Sequence, residues 1–281
     1  MKKKKLLTFV LFLFFIHAAQ SENDIRVMTF NIRYDNPADG QNAWSHRKEN
    51  VGTMLKYYEP DILGAQEVLH NQLKDIKKML PLYGHVGVGR TDGKKGGEYC
   101  SLLFKKDRFD LLDSGNFSLS EQPNKIGIKA WDAACERIVT WAILKDKKSG
   151  KEITVFNTHF DHIGAIARKE SSKLLLSFIE TLAGNRPVIV TGDFNGTSDS
   201  EAIRILTEKK YLKDARSLSP IVYGPIYSFH DFGRMEESEK SLIDFIFVRG
   251  DVKVKKYRVI EDSSCGFLSD HNPIEIYVEV E

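Results

Sequence analysis

Pro187-Val188-Ile189-Val190-Thr191-Gly192-Asp193-Phe194-Asn195 reads as a short buried strand that runs into a glycine, a carboxylate and an amide. The β-branched run predicts the strand, and Gly192 punctuates its end. In an extended chain residues i and i+2 share a face, so Asp193 and Asn195 are expected to point together while Phe194 points away. Two polar groups converging at the carboxyl edge of a sheet form a natural site in an α/β protein. A plain turn containing Gly and Asn would look the same, so the reading rests on what the rest of the chain sets beside it.

Strand ends of the same kind recur. Residues 25–30 read as a strand with Asn31 at its end, and 61–65 as another with Gln66-Glu67 at its tip. Residues 44–58, 68–80, 163–183 and 200–208 carry helical periodicity, the third closing near Gly184. Strands are expected over 82–88, 99–104 and 109–119, and over 137–144 and 153–158 around the turn Lys147-Lys148-Ser149-Gly150. Residues 242–248, 252–260 and 274–280 complete the set. Hairpin pairs interleaved with strand–helix units predict mixed sheets carrying helices outside, in one α/β domain. With 281 residues, 42% of them hydrophobic, the chain can bury one substantial core, and no linker composition divides it. Residues 217–240 are the least regular stretch, long enough for a functional loop.

The N-terminus is a different kind of segment. Lys2 to Lys5 precede the apolar run 6–16, and Ala18-Ala19-Gln20-Ser21 supplies small residues for a cut after Ser21. The apolar run is shorter than the ~20 residues of a membrane span. Residues 1–21 are therefore read as a signal peptide and 22–281 as the mature domain, exported to the periplasm or secreted, with no membrane span after cleavage. No cysteine beside the cut offers a lipid attachment point. Losing four leader lysines turns a formal +2 into 37 basic against 39 acidic residues. The mature chain thus lacks the net basic surface with which proteins hold long polyanions. The lysine pairs at 94–95, 105–106 and 147–148 read as solvated turns. Cys100, Cys135 and Cys265 lack metal-ligand spacing; one disulfide is open to them, and burial as a small hydrophobe suits Cys100 in the apolar stretch 99–104.

Five further segments put polar residues at strand ends. Thr29-Phe30-Asn31-Ile32-Arg33 brings an amide, Leu63-Gly64-Ala65-Gln66-Glu67-Val68 a carboxylate, and Asn157-Thr158-His159-Phe160-Asp161-His162 imidazoles and a carboxylate. Leu242-Ile243-Asp244-Phe245-Ile246-Phe247 drops one carboxylate into an apolar run, and Ser269-Asp270-His271-Asn272-Pro273 pairs carboxylate with imidazole. Singly, such residues have ordinary uses in turns and at helix N-termini. Asp244 resists that explanation, because a buried carboxylate without a partner is costly; a hydrogen bond to His271 or His159 would satisfy it. Carboxylates, imidazoles and amides gathered at strand ends suit a hard cation with oxygen ligands, plus groups that handle protons and charge.

Taken in order, TFNIR, QE, NTHFDH, GDFN, IDFIF and SDHNP resemble the motif series of the endonuclease/exonuclease/phosphatase superfamily, the DNase I-like metal-dependent phosphohydrolases, from Ile25 to the C-terminus. TGDFNGTSDSEAI with NTHFDH is similar to the branch holding CCR4-type deadenylases and related bacterial proteins. Thr191 and Gly196 stand where the inositol-polyphosphate 5-phosphatase branch has an aromatic residue and an arginine, and the AP-endonuclease branch is similar only at the shared core. The resemblance implies a four-layer α/β sandwich, two mixed β-sheets packed face to face with helices outside. It implies Glu67 as the principal Mg2+ ligand (Mn2+ being an alternative ion), with Asn31 and Asp270 beside it. It also implies Asp193 as the group that orients or deprotonates the attacking water, Asn195 and His159 on the non-bridging phosphate oxygens, and His271 on phosphate, oriented by Asp244. Phosphoryl transfer asks for such positioning and charge neutralisation more than for covalent catalysis.

Arg137, in Cys135-Glu136-Arg137-Ile138-Val139-Thr140-Trp141, resembles a family segment near the site, and a guanidinium suits phosphate; a surface ion pair is its competing role. Trp44 and Arg47 also resemble a family pattern, with helix packing expected of the tryptophan. Glu98-Tyr99, His162 and the segment Ser228-Phe229-His230-Asp231-Phe232 are expected to line the substrate pocket, where rings can stack on a base or sugar. The expected activity is that of an exported Mg2+-dependent phosphodiesterase or phosphatase, monomeric, attacking a small or short phosphoester with water. Its rivals are an extracellular DNase or RNase working on polymer, and a binding protein of the same fold without catalysis. The last would be expected to have lost at least one of Asn31, Glu67, His159, Asp193, Asn195, Asp244, Asp270 and His271, and the chain has them all.

Overall fold

The computed structural model describes residues 24–208, 211–262 and 266–281; the expected signal peptide and Cys265 lie outside them. In chain order the elements are β1 (Ile25–Asn31), α1 (Trp44–Tyr58), β2 (Ile62–Val68), α2 (His70–Met79), β3 (Tyr83–Val86), β4 (Tyr99–Lys105), β5 (Phe109–Ser118), β6 (Ile138–Asp146), β7 (Glu152–His159) and α3 (Ala165–Ala183). Then follow β8 (Val188–Asp193), α4 (Glu201–Thr207), β9 (Lys213–Asp214), α5 (Ala215–Leu218), β10 (Val222–Tyr223), β11 (Asp244–Arg249), β12 (Val252–Val259) and β13 (Ile274–Val280).

The strands form a seven-stranded sheet, β10-β12-β13-β1-β2-β4-β3, and a six-stranded sheet, β5-β6-β7-β8-β11-β9. Both are mixed: β1–β2 and β10–β12 are parallel in the first and β7–β8 in the second, the other pairs antiparallel. In the first sheet the earliest strand lies against the latest, Ile25 opposite Val278.

Strict alternation makes each central strand two-faced. Val27, Ile62, Val155, Ile189, Ile246 and Ile276 fill the space between the sheets. Their neighbours Met28, Phe30, Leu63 and Ala65 pack outward against Val51 and Leu55 of α1 and Leu73 and Ile76 of α2. Phe156, Val190, Phe245 and Phe247 do the same against Leu175 and Ile179 of α3 and Ile203 and Leu206 of α4. Each large apolar side chain so buried contributes roughly 1.5–3 kcal/mol before entropy is counted. Helix, sheet, sheet and helix make the expected four-layer sandwich. Phe194 does point away from Asp193, its ring edge-on to Phe160 at 4.9 Å in the outer core.

Boundaries moved where side chains cap the backbone. β2 runs on to Val68, so Gln66 and Glu67 lie within it. α2 starts at His70, where Gln72 Oε1 accepts from the Leu69 N–H. α3 starts at Ala165 because Asp132 takes the free N–H groups of Ile166 and Ala167. The irregular stretch contains β10 and a 3-10 turn over Asp231–Gly233; β9 and β10, two residues each, are too short to show alternation. Among the described residues no helix is long and apolar enough to cross a membrane. Cys100 is buried, Cys135 half-buried, and both are free thiols.

Candidate active site

One rim of the sandwich is polar. His159 closes β7 and Asp193 closes β8, opposite each other in the parallel ladder. β11 runs antiparallel to β8, so its first residue, Asp244, sits opposite the last of β8, Asp193. Three functional side chains of one sheet thereby lie side by side. The other sheet adds Asn31 from the end of β1, whose Nδ2 donates across the gap to Asp193 Oδ2 at 2.9 Å.

Glu67 reaches the rim by an irregularity. Alternation would send it outward with Leu63 and Ala65, but the β2–β4 register slips between Ala65 and Val68 and Glu67 adopts a left-handed φ of 60°. Its carboxylate then accepts from Asn31 Nδ2 and the Tyr34 N–H, each at 3.1 Å. Asp270 arrives from the loop before β13, with Ser269 Oγ donating to Asn31 O at 2.7 Å and Arg33 Nε 3.7 Å from the Asp270 carboxylate. Buried Arg47 fastens the two loops together, donating from Nη1 to Ile32 O and Leu268 O. Trp44 has the packing role expected of it, buried with its Nε1 on Asp75.

Asn195 converges with Asp193 through a turn rather than by alternation. It lies beyond the strand in a left-handed conformation (φ 48°), and its N–H donates to Asp193 Oδ1 at 2.9 Å. Its Nδ2 serves His159 Nε2 at 3.0 Å and Phe160 O at 2.9 Å. Asn195 therefore orients the imidazole, and His159, not His271, is the histidine it holds. Of the two partners open to Asp244 the structure selects His271, whose Nδ1 lies 2.7 Å from Asp244 Oδ2.

Electrostatics separate the two histidines. Burial would strip the proton from His271, but Asp244, Asp193 and Asp270 outweigh it and push the imidazole up to about 10. Burial together with Arg137 and Arg90 drives His159 well below its ordinary value, so it is neutral. Burial and then Asp244 push Asp193 up to about 7. Glu98 rises to about 7 through burial and the charge of Glu67, and Asp270 rises through burial with Glu67 again adding. The Glu67 charge thus opposes ionisation of both Glu98 and Asp270, a repulsion that a divalent cation beside Glu67 would relieve. Glu67 and Asp270 with Asn31 offer oxygen donors suited to a hard divalent cation, while Glu98 is held by Arg90 at 2.7 Å. Two tighter groupings are already committed: Asp193–Asp244–His271 contains the acid–imidazole bond, and in Cys135–Asp161–His162 the carboxylate accepts from the backbone of 134, 135, 163 and 164.

Asp161 also explains Arg137, which is a buried rather than a surface ion pair: Arg137 Nε lies 3.4 Å from Asp161 and Nη2 lies 3.0 Å from His162 Nδ1. Burial pushes the Asp161 carboxyl up, but the N–H groups of Gly164, Ala134 and Ile163 and the Arg137 charge overcome it and bring it down to about 2. A lowered carboxyl stabilises the fold above its unfolded value of roughly 4 and loses that contribution as pH falls toward 2. Asp161→Asn is therefore expected to lower Tm at pH 7, with the gap to wild type closing as the pH falls from about 4 to 2. Melting curves across that window check it, and a gap independent of pH would contradict it.

These groups face a cavity of about 450 Å3, lined by Glu67, Glu98, Arg137, His159, His162, Asp193, Asn195, Asp270 and His271 among others. Not all the expected lining residues are there. Tyr99 is buried on β4, its hydroxyl donating to Lys94 O at 2.9 Å, because alternation from Glu98 turns it into the helix-side core. His230 borders a separate cavity of about 50 Å3, its Nδ1 accepting from the Gly233 N–H; its neighbours Phe229 and Asp231 take the main cavity instead. Sequence reasoning missed Arg33, Tyr34 and Arg90, the last paired with Glu98 at 2.7 Å. Arg33 stood within the quoted TFNIR motif; Tyr34 and Arg90 lie in loops with no pattern to flag them.

Carboxylates at the rims of both sheets, with an acid–imidazole pair that joins them (Asp244 of β11 to His271 from the loop before β13), in a four-layer sandwich, define a hydrolase of phosphoester bonds of DNase I-like fold. The sequence matches the Endonuclease/Exonuclease/phosphatase family over residues 28–271, and the chain belongs to that family, whose members depend on divalent metal. A family structure from Bacteroides vulgatus is 47% identical, covers 92% of this chain and 99% of its own, and superposes with a TM-score of 0.89. A mannosyl-6-phosphatase from Bacteroides thetaiotaomicron is 34% identical over 90% of this chain and 99% of its own, with a TM-score of 0.85. Protein angel of Drosophila melanogaster is 25% identical over 73% of this chain, which spans 58% of that relative's length.

Proposed function

We propose that this chain is an exported Mg2+-dependent phosphatase that removes phosphate from a small, hydroxyl-rich monoester of the sugar-phosphate kind. The cavity carries the reading: about 450 Å3 is the volume of a small-molecule site, and its lining is charged and polar. Arg137 Nη1 is buried without a partner, a donor left for a ligand oxygen. The likeness to a mannosyl-6-phosphatase supports a phosphorylated sugar, and the mature net charge disfavours a long polyanion.

Glu67, Asn31 and Asp270 would hold the Mg2+, which when bound neutralises charge on the phosphoryl oxygens. Asp193 takes the proton from the attacking water as the new P–O bond forms. His271, kept cationic by Asp244, donates from Nε2 to a phosphoryl oxygen as charge builds there. Asn195 steers His159, and Arg137 offers Nη1 to the substrate. The ester P–O bond breaks and the leaving alkoxide takes up a proton from solvent, balancing the one Asp193 accepted from water.

Phosphate release from mannose 6-phosphate and other hexose phosphates, set against a phosphodiester, poly(A) and plasmid DNA in Mg2+, Mn2+ and EDTA, tests the reading. Monoesters are expected to be turned over fastest, and only with the metal present. Faster cleavage of the polymers would replace the reading with a nuclease, and no turnover of any substrate with a binding protein. Export predicts a mature N-terminus at Glu22, which N-terminal sequencing of protein from the periplasm or medium checks.

A further inference from the structure

The groups of the site are divided between two sheets that touch only through side chains, so their spacing must be held by whatever bridges the gap. The inward positions fall into tiers. Val27, Ile62, Val155 and Ile189 form an apolar tier. Two residues further along the same strands stand Thr29, Gly64, Asn157 and Thr191, and two further again Asn31, Gln66, His159 and Asp193.

The middle tier is polar and wholly buried. Gln66 Nε2 reaches down to Asn157 Oδ1 at 2.7 Å and Thr29 Oγ1 at 3.0 Å. Asn157 Nδ2 crosses to the opposite sheet, donating to Ala65 O at 3.0 Å and Ser101 O at 2.9 Å. Thr191 Oγ1, on the neighbouring strand of the same sheet, lies 3.0 Å from Asn157 Oδ1 and 3.1 Å from Phe156 O, so it makes no crossing itself and acts by holding the Asn157 amide that does. Gly64 makes room: a Cβ there would overlap Thr191 Oγ1 and come within 2.8 Å of Asn157 Oδ1.

We propose that Gln66, Asn157 and Thr191 are positioning residues, a hydrogen-bonded bolt that sets the distance between the Asn31–Glu67 half of the site and the His159–Asp193 half. Cohesion does not call for them, because the tier below closes the same gap with apolar contacts, and buried polar pairs exchanged for apolar groups of equal shape are often neutral for stability. Apolar contact is non-directional and lets sheets slide, whereas hydrogen bonds hold donor and acceptor within a few tenths of an ångström. A misplacement of about 1 Å can cost on the order of 100-fold in rate.

Thr191→Val keeps the shape and removes the hydroxyl; Thr191→Ser keeps the hydroxyl. With a phosphate monoester, Thr191→Val is expected to lower kcat about 10- to 100-fold with KM within about threefold and Tm unchanged or higher, and Thr191→Ser to recover most of the loss. That kinetic arm rests on the proposed function, so a second arm does not use substrate. The side-chain amide signal of Asn31, whose bond to Asp193 is the next rung up, is expected to shift and exchange faster with solvent in Thr191→Val and to return in Thr191→Ser. If wild type turns over no monoester, the function fails while the Asn31 signal still decides the bolt. An unmoved Asn31 signal, or a Tm loss alone without change in kcat, would assign these residues to stability only and overturn the proposal.

Discussion

Asp193→Asn is expected to lower kcat by about 10^2- to 10^4-fold, the range measured when a positioned proton acceptor is removed, while Tm holds or rises. The carboxylate accepts from Asn31 Nδ2 and the Asn195 N–H, and it lies 3.5 Å from His159 Nε2 and 3.7 Å from His271 Nε2. It is therefore the one acid touching both sheets and both histidines of the rim. Asparagine keeps the shape and one acceptor oxygen but cannot take a proton from water. It also removes a carboxylate that is wholly buried beside Asp244, a placement that burial and charge both disfavour. Loss of activity without loss of stability is the signature. Steady-state kinetics on whichever phosphoester wild type prefers, with calorimetry beside them, check it; a variant retaining more than about a tenth of kcat would remove Asp193 from the chemistry.

Glu67→Gln is expected to act through the cation. Stabilisation of developing charge by a bound metal is worth several kcal/mol, so kcat/KM should fall by about 10^3-fold or more, with a higher Mg2+ concentration needed for what remains. EDTA should abolish wild-type turnover and added Mg2+ restore it. A readout independent of turnover follows from linkage: a ligand that binds only the folded state raises Tm, so millimolar Mg2+ or Mn2+ should stabilise wild type and fail to stabilise Glu67→Gln. Asn31 Nδ2 donates to one Glu67 oxygen and the Tyr34 N–H to the other, so glutamine keeps one of these two bonds, and a Tm loss of a few degrees without metal is expected beside the metal effect. Equal metal-induced shifts in the two proteins would move the cation away from Glu67.

Asp193, His159 and Asp244 were legible because each sits at a strand end in unbroken alternation, where a period of two settles which way a side chain points. Asp244 was doubly legible, since a carboxylate in an apolar run demands a partner, and the choice between His271 and His159 needed only coordinates. Glu67 was recognised by its motif alone: alternation puts it on the helix side, and the bulge that turns it round leaves no mark in composition. Tyr99 and His230 failed by a single residue each. In a pocket wall made of strand and turn, the neighbour of a lining residue faces the other way. Pairings such as Asn31 with Asp193, 162 residues apart, are set by two sheets stacking and have no local trace.

The contact between β1 and β13 has a consequence for how this molecule is made. A chain emerging from the ribosome presents β5 to β8 in near-consecutive order, and these can pair as they appear. β1 cannot be flanked on both sides until Ile274–Val280 has been synthesised, because β13 lies between it and β12. Any product that stops short of β13 therefore carries two open strand edges, on β1 and on β12, each a template for pairing with another chain. Nonsense or frameshift products that stop before β13 should aggregate rather than work at reduced efficiency, and Asn31 and Asp270 come into register only once β13 has been added beside β1.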